Sequence, residues 1–129
     1  MKANELMLDD WIKYGNRFAI IKELYNGYVI ILCSINGQHE YVQETYDNIE
    51  DIPLTHEILE KIGFETQPNI GYIIDDYDGT QIIYDSWNHN LRIIKDYKTC
   101  LDIETFNDLT LRELQHALRI CGIRKEIVL

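Results

Sequence analysis

Apolar and polar positions alternate over short stretches in the first half of the chain, and a turn signal ends each stretch. Asp10-Trp11-Ile12-Lys13-Tyr14 runs into Gly15-Asn16, and a β-branched run follows over positions 18–24. Asn26-Gly27 precedes the apolar run 28–33, and Asn36-Gly37 precedes a further strand-like stretch at 39–43. Asn-Gly between apolar runs is a strong hairpin signal, because both residues tolerate the positive φ of tight hairpin turns. The pattern predicts four short strands in a small antiparallel sheet, curled as in an SH3-like barrel.

A helix is expected after Pro53. Thr55 is a suitable N-cap, Leu54 and Leu59 have the spacing of a hydrophobic staple, and Gly63 is placed to stop the helix in the left-handed conformation. Ile58, Leu59 and Ile62 would form its buried face. Alternation then resumes with Tyr72-Ile73-Ile74, an Asp78-Gly79 turn of expected type I′, Gln81-Ile82-Ile83-Tyr84, an Asn88-His89-Asn90 turn, and Leu91-Arg92-Ile93-Ile94. A weaker strand is expected over 99–103. The last helix has the clearest ends, with Thr110 and Glu113 at capping-box spacing and Gly122 at the C-terminal stop. Leu111, Leu114, Ala117, Leu118 and Cys121 form one apolar stripe, and Ile127-Val128-Leu129 is expected to dock as a final strand.

The expected fold class is therefore α+β: a small antiparallel sheet, a linking helix, then hairpins packed on a C-terminal helix. One compact domain over 1–129 is expected; a division into a β-rich part (1–52) and an α+β part (53–129) is left open. An apolar fraction of 46% against 26% charged residues is that of a folded globular chain, not a disordered one.

Charge narrows the partner classes. Twenty-two acidic against twelve basic side chains give a net charge of −10, with the acidic residues spread along the chain rather than confined to a tail. Such a chain repels phosphate backbones, so direct nucleic-acid binding is not expected, whereas a protein partner with a basic surface is. The same charge also serves solubility alone. Three cysteines without CxxC spacing, Cys33, Cys100 and Cys121, lie in apolar surroundings and suggest a reducing compartment. No apolar run has signal-peptide or membrane-spanning length, so the expected location is the cytoplasm and no membrane association is expected.

Motifs for chemistry are incomplete. Arg112-Glu113-Leu114-Gln115-His116 has the frame of a zinc-binding H-E-x-x-H helix, but arginine stays protonated and cannot ligate the metal. Asp75-Asp76-Tyr77-Asp78-Gly79 resembles part of a calcium loop, yet its first ligand position falls on Ile74, and a hairpin turn accounts for the same residues. No phosphate-binding glycine loop or nucleophile elbow is present. Neither a cofactor nor a metal is expected, and no catalytic residue is assigned.

Nine tyrosines and two tryptophans are many for this length, and Tyr72, Tyr77, Tyr84, Trp87 and Tyr97 crowd the second half. Tyrosine and tryptophan combine contact area with a polar handle, as binding surfaces need, although strands also favour them for packing. The candidate partner- or ligand-binding set is Tyr72, Asp75, Asp76, Tyr77, Asp78, Tyr84 and Trp87.

Three pieces of the chain carry a resemblance. They are the opening Met1-Lys2-Ala3-Asn4-Glu5-Leu6 with Asp10-Trp11, the middle Ile52-Pro53-Leu54-Thr55 through Ile58-Leu59-Glu60-Lys61-Ile62-Gly63-Phe64, and the closing Glu113-Leu114-Gln115-His116-Ala117-Leu118-Arg119-Ile120-Cys121-Gly122-Ile123. Together they resemble a group of short, uncharacterised proteins of phages and integrated mobile elements of gut bacteria. In that group a histidine often stands at the position of Arg112. The resemblance implies a mobile-element origin and no particular activity.

The leading expectation is a non-enzymatic accessory protein of a phage or mobile element that binds another protein, in one version as an acidic inhibitor of a host defence factor. Two alternatives remain open. One is a sponge for a small nucleotide signal, held between aromatic rings and bases such as Arg92 and Arg119. The other is a hydrolase in which histidines such as His89 and His116 meet carboxylates or cysteines in space.

Overall fold

The computed structural model describes residues 5–129, so the first four residues of the opening pattern above lie outside the described part. The described residues form an α+β fold, with two five-stranded antiparallel sheets and two α-helices. It divides into two compact units, Met1–Ile52 with Thr110–Arg112, and Pro53–Leu109 with Glu113–Leu129.

The first unit contains β1 (Trp11–Tyr14), β2 (Arg17–Leu24), β3 (Val29–Ile35), β4 (Gln38–Glu44) and β5 (Ile49–Glu50), in the order β4-β3-β2-β1-β5. Side chains on a strand alternate between faces, which puts Ala19 and Ile21 on one face of β2 and Val29, Ile31 and Cys33 on one face of β3. These residues join Leu6, Ile12 and Ile49 in one buried cluster. Burying each isoleucine there contributes about 1.5–3 kcal/mol.

The expected barrel does not close. Both edges of the sheet stay open, at β4 and at the two-residue β5, whose pairing was not visible in the alternation. The outer edge, β4, carries His39, Glu40 and Glu44 among exposed or half-buried positions, and such charge discourages pairing with a further strand.

Local chemistry explains the turns. Asn36 and Gly37 have φ of 52° and 82°, as a type I′ turn requires. In the Asn26-Gly27 hairpin only Gly27 has positive φ, so this turn is not type I′. Asp10 is fully buried; its Oδ2 accepts from the Met7 amide at 2.8 Å, and its backbone carbonyl accepts from the Ile21 amide at 2.9 Å. Arg112 also belongs to this unit. Its guanidinium forks onto Asp51 at 2.8 and 3.1 Å and reaches the Glu5 carbonyl at 2.9 Å. The position that would need a metal-binding histidine is thus a bidentate arginine clamp.

The second unit contains α1 (His56–Ile62), β6 (Glu65–Gln67), β7 (Gly71–Asp75), β8 (Gln81–Asp85), β9 (Asn90–Lys95), β10 (Lys98–Glu104) and most of α2 (Leu111–Ile120). The strands follow chain order as a meander, β10-β9-β8-β7-β6, with α2 packed on the hairpins. Both helices end as their residues dictate. Thr55 Oγ1 accepts from the Ile58 amide at 3.3 Å, and Gly63 has φ of 115°. Ile58, Leu59 and Ile62 are the buried face of α1. At the end of α2, Gly122 has φ of 68° and the Ile123 amide returns to the Leu118 carbonyl at 2.9 Å, a Schellman closure.

Four expectations are corrected here. The Asp78-Gly79 turn is not type I′, because Tyr77 and Gly79 take positive φ (58° and 93°) while the Asp76 amide bonds to the Thr80 carbonyl around a three-residue tip. The tail forms no strand, although Ile127 is buried. Cys100 is exposed rather than embedded. Tyr84 is a core residue, 2% exposed, with its hydroxyl at 3.4 Å from the Leu109 amide.

Candidate binding surface

An antiparallel meander brings alternate loops to opposite ends of its sheet. At one end of β6–β10 the β7–β8 and β9–β10 loops lie side by side, joined by the Tyr97 amide donating to the Gly79 carbonyl at 3.0 Å. At the other end the β8–β9 loop meets the segment after β10, where the Thr105 amide donates to the His89 carbonyl at 2.9 Å.

One device builds two of these loops. Asp75 Oδ1 accepts from the Tyr77 amide at 2.9 Å, and Asp85 Oδ1 accepts from the Trp87 amide at 3.0 Å. In each case an aspartate two residues earlier folds the backbone into an Asx turn and lifts an aromatic residue to the tip. Tyr77 is 89% exposed and Trp87 is 90% exposed. The aspartates are themselves braced. Asp75 Oδ2 accepts from Gln81 Nε2 at 2.9 Å, and Asp85 Oδ2 accepts from Asn88 Nδ2 at 2.8 Å. The Asn88 amide, more than the neighbouring backbone amides, holds the Asp85 carboxyl below its ordinary range.

Tyr97 is presented differently. Asp96 and Tyr97 turn the chain with φ of 53° and 64°, and the Tyr97 ring lies against Gly79. A Cβ at Gly79 would come within 2.8 Å of that ring, so a side chain there would displace the ring from this position. The other face of the ring is open, and Tyr97 is 82% exposed.

Tyr77 and Tyr97 flank a groove of about 430 Å³, with Ile94, Gly79, Gln81 and Asp75 as its remaining lining. Asp76, Asp78 and Asp96 stand in the same two loops, and Asp78 Oδ1 is held by the Thr80 amide at 3.0 Å. Lys98 follows the turn, whereas Lys95 is engaged by the Cys121 and Gly122 carbonyls. Carboxylates therefore outnumber cations around two open phenol rings. Such a site favours a cation, through charge and through the negative faces of the rings.

The opposite end holds a second hollow of about 500 Å³, lined by residues including Asn69, Ile70, Tyr72, Asp85 and Trp87. Of the seven sequence candidates, Asp75, Asp76, Tyr77 and Asp78 share the first end. Trp87 and Tyr72 border the second hollow, and Tyr84 lies in the core. Tyr97, absent from that candidate set, completes the first groove; its signal is an Asp-Tyr pair between two lysines, in a turn with no glycine to mark it.

Groups suited to catalysis are tied up or dispersed. His56 Nε2 lies 2.8 Å from Glu60 Oε1 and its Nδ1 is 3.1 Å from the Tyr72 hydroxyl, linking α1 to β7 on an exposed face. His89 Nδ1 approaches Asp108 Oδ1 at 3.0 Å, and Arg92 pairs with Asp102 at 3.3 Å. Among the described residues no three His, Cys, Asp or Glu side chains converge as a metal site.

No family model, curated protein or solved structure matches the chain. Among the described residues no helix is long and apolar enough to cross a membrane.

Proposed function

We propose that this chain is a non-enzymatic accessory protein that binds another protein, using the Tyr77–Tyr97 groove to hold a basic segment of its partner. The observation that carries this reading is the pair of open tyrosine rings on braced loops with aspartates around them. Braced loops lose little freedom on binding, and tyrosine is prominent among residues that dominate interface energies. A phage or mobile-element setting, as the sequence resemblance implies, accords with a partner in the host. The same aspartates oppose the nucleotide-sponge alternative, because they repel phosphate.

Calorimetric titration of the full chain with arginine-rich, lysine-rich and acidic peptides tests the reading. Binding is expected for the basic peptides only. It should weaken as salt rises and fall roughly fivefold or more for Tyr77→Ala or Tyr97→Ala. Absence of basic-peptide binding, or binding indifferent to both substitutions, would refute it.

A further inference from the structure

The second hollow, about 500 Å³, has the size of a small-ligand pocket and lies wholly within the second unit. Two closed turns wall it. Gln67-Pro68-Asn69-Ile70 joins β6 to β7: proline fixes one φ, Asn69 takes a φ of 65°, and the Ile70 amide donates to the Gln67 carbonyl at 3.3 Å. The other wall is the β8–β9 loop, where Asp85 Oδ1 accepts from the Trp87 and Asn88 amides at 3.0 and 3.3 Å. Gly71 lies between them, so close to β8 that an added Cβ would stand 2.7 Å from the Tyr84 carbonyl oxygen. The walls are held by the chain itself.

The lining selects by chemistry. Thr66, Gln67, Asn69, Ser86 and Asn88 carry neutral hydroxyls and amides that both donate and accept. Among the described lining residues there is no lysine or arginine, so a phosphate or carboxylate finds no counter-charge. The single carboxylate is Asp85, and both of its oxygens already accept, Oδ2 from Asn88 Nδ2 at 2.8 Å. A cation is better served between Tyr77 and Tyr97. A wholly apolar ligand would strand the amides and hydroxyls without partners. Trp87 completes the set with an indole 90% exposed on a braced turn, where it buries little within the fold. Its ring face is electron-rich, and its edge carries one N–H donor.

We propose that this hollow binds a neutral saccharide, with one sugar ring lying on the Trp87 indole and its hydroxyls meeting the amides and hydroxyls of the two walls. A pyranose ring has both surfaces that such a site needs. Its C–H groups form a slightly positive apolar patch that suits the negative face of an aromatic ring. Its hydroxyls donate and accept, as the wall groups do. Affinity is modest, because each hydrogen bond to the sugar replaces one to water. It is indifferent to salt, because no charges pair. This site does not depend on the Tyr77–Tyr97 groove, and either reading can fail without the other.

The test titrates the isotope-labelled full chain with neutral trisaccharides of glucose, galactose, mannose, xylose and N-acetylglucosamine, followed by NMR. The two tryptophans, Trp11 and Trp87, give separate indole N–H signals, and Trp87→Tyr assigns them. At least one trisaccharide should shift the Trp87 indole and the backbone signals of 66–71 and 85–88 while the Trp11 indole stays in place. Its dissociation constant should be about 1 mM or tighter, at low and at high salt. Trp87→Ala removes an exposed ring and leaves the core intact; it should weaken binding roughly fivefold or more. Trp87→Tyr keeps an aromatic face and should retain part of the affinity. Inorganic phosphate and free arginine should leave these signals unmoved. The assignment is overturned if no trisaccharide shifts the Trp87 indole at millimolar concentration, if binding survives Trp87→Ala, or if phosphate or arginine binds there instead.

Discussion

The two units carry sheets of equal strand number but use their aromatic residues in opposite ways. In the first unit tyrosines are tied to neighbours: Tyr25 stacks on Tyr28 at 4.7 Å, and the Tyr46 hydroxyl donates to the Tyr25 carbonyl at 2.6 Å. Tyr41 on the edge strand is an exception, standing in solvent. In the second unit Tyr77, Trp87 and Tyr97 stand free at loop tips, while the hydrogen bonds around them fix the backbone that carries them. Exposure on a braced loop costs the fold little and lowers the ordering entropy of binding. The contrast separates residues that hold the protein together from residues available to a partner.

That separation breaks first at the cores. Ile31→Ala in the first unit and Ile93→Ala in the second each remove a fully buried side chain, and each should cost about 2–5 kcal/mol in denaturant unfolding. A smaller cost for either would mean that its unit is more loosely packed than its burial indicates.

Gly71 should come next. Its φ is 105°, and an added Cβ would lie 2.7 Å from the Tyr84 carbonyl oxygen, which is backbone and cannot turn aside. Gly71→Ala should cost at least about 1–3 kcal/mol. Gly79→Ala meets the Tyr97 ring instead, which can swing away, so it should disturb the groove more than it disturbs the sheet.

Alkaline pH should weaken the second unit. The folded chain holds the Cys121 proton to about 11 against an ordinary 9.0, and burial likewise raises Tyr84. The unfolded chain therefore gives up these protons first. The Cys121 contribution is complete below pH 9.0 and is lost as pH rises through about 11. Unfolding followed from pH 8 to 11.5 should show this decline, and Cys121→Ala should flatten the part due to the thiol.

The smallest effect on stability should belong to the groove itself. Tyr77→Ala removes an 89% exposed side chain and should change unfolding free energy by no more than about 0.5 kcal/mol.

Residues that act locally were legible in the sequence. Thr55 and Gly63 mark α1, Gly122 marks the end of α2, and the two Asn-Gly pairs mark hairpins, because each depends on nearby backbone chemistry alone. Less legible were β5 and β6, with two and three residues, since alternation needs more positions to register. Open or closed sheet edges are likewise decided by distant pairing, and the barrel expectation failed for that reason. The candidate site was half visible. Asp75-Asp76-Tyr77-Asp78 announces a turn, but Tyr97 joins it only through the register of β9 with β10 and the contact at Gly79. Tyr84 misled because alternation in a strand does not say which face is core.

The most direct measurement sets stability against binding for one substitution. Tyr97→Ala and the parent chain should be compared by chemical unfolding and by titration with an arginine-rich peptide at low salt. The account predicts an unfolding free energy within about 1 kcal/mol of the parent and a roughly fivefold or greater loss of peptide affinity. A variant that unfolds several kcal/mol more easily, or that binds the peptide as the parent does, would contradict it.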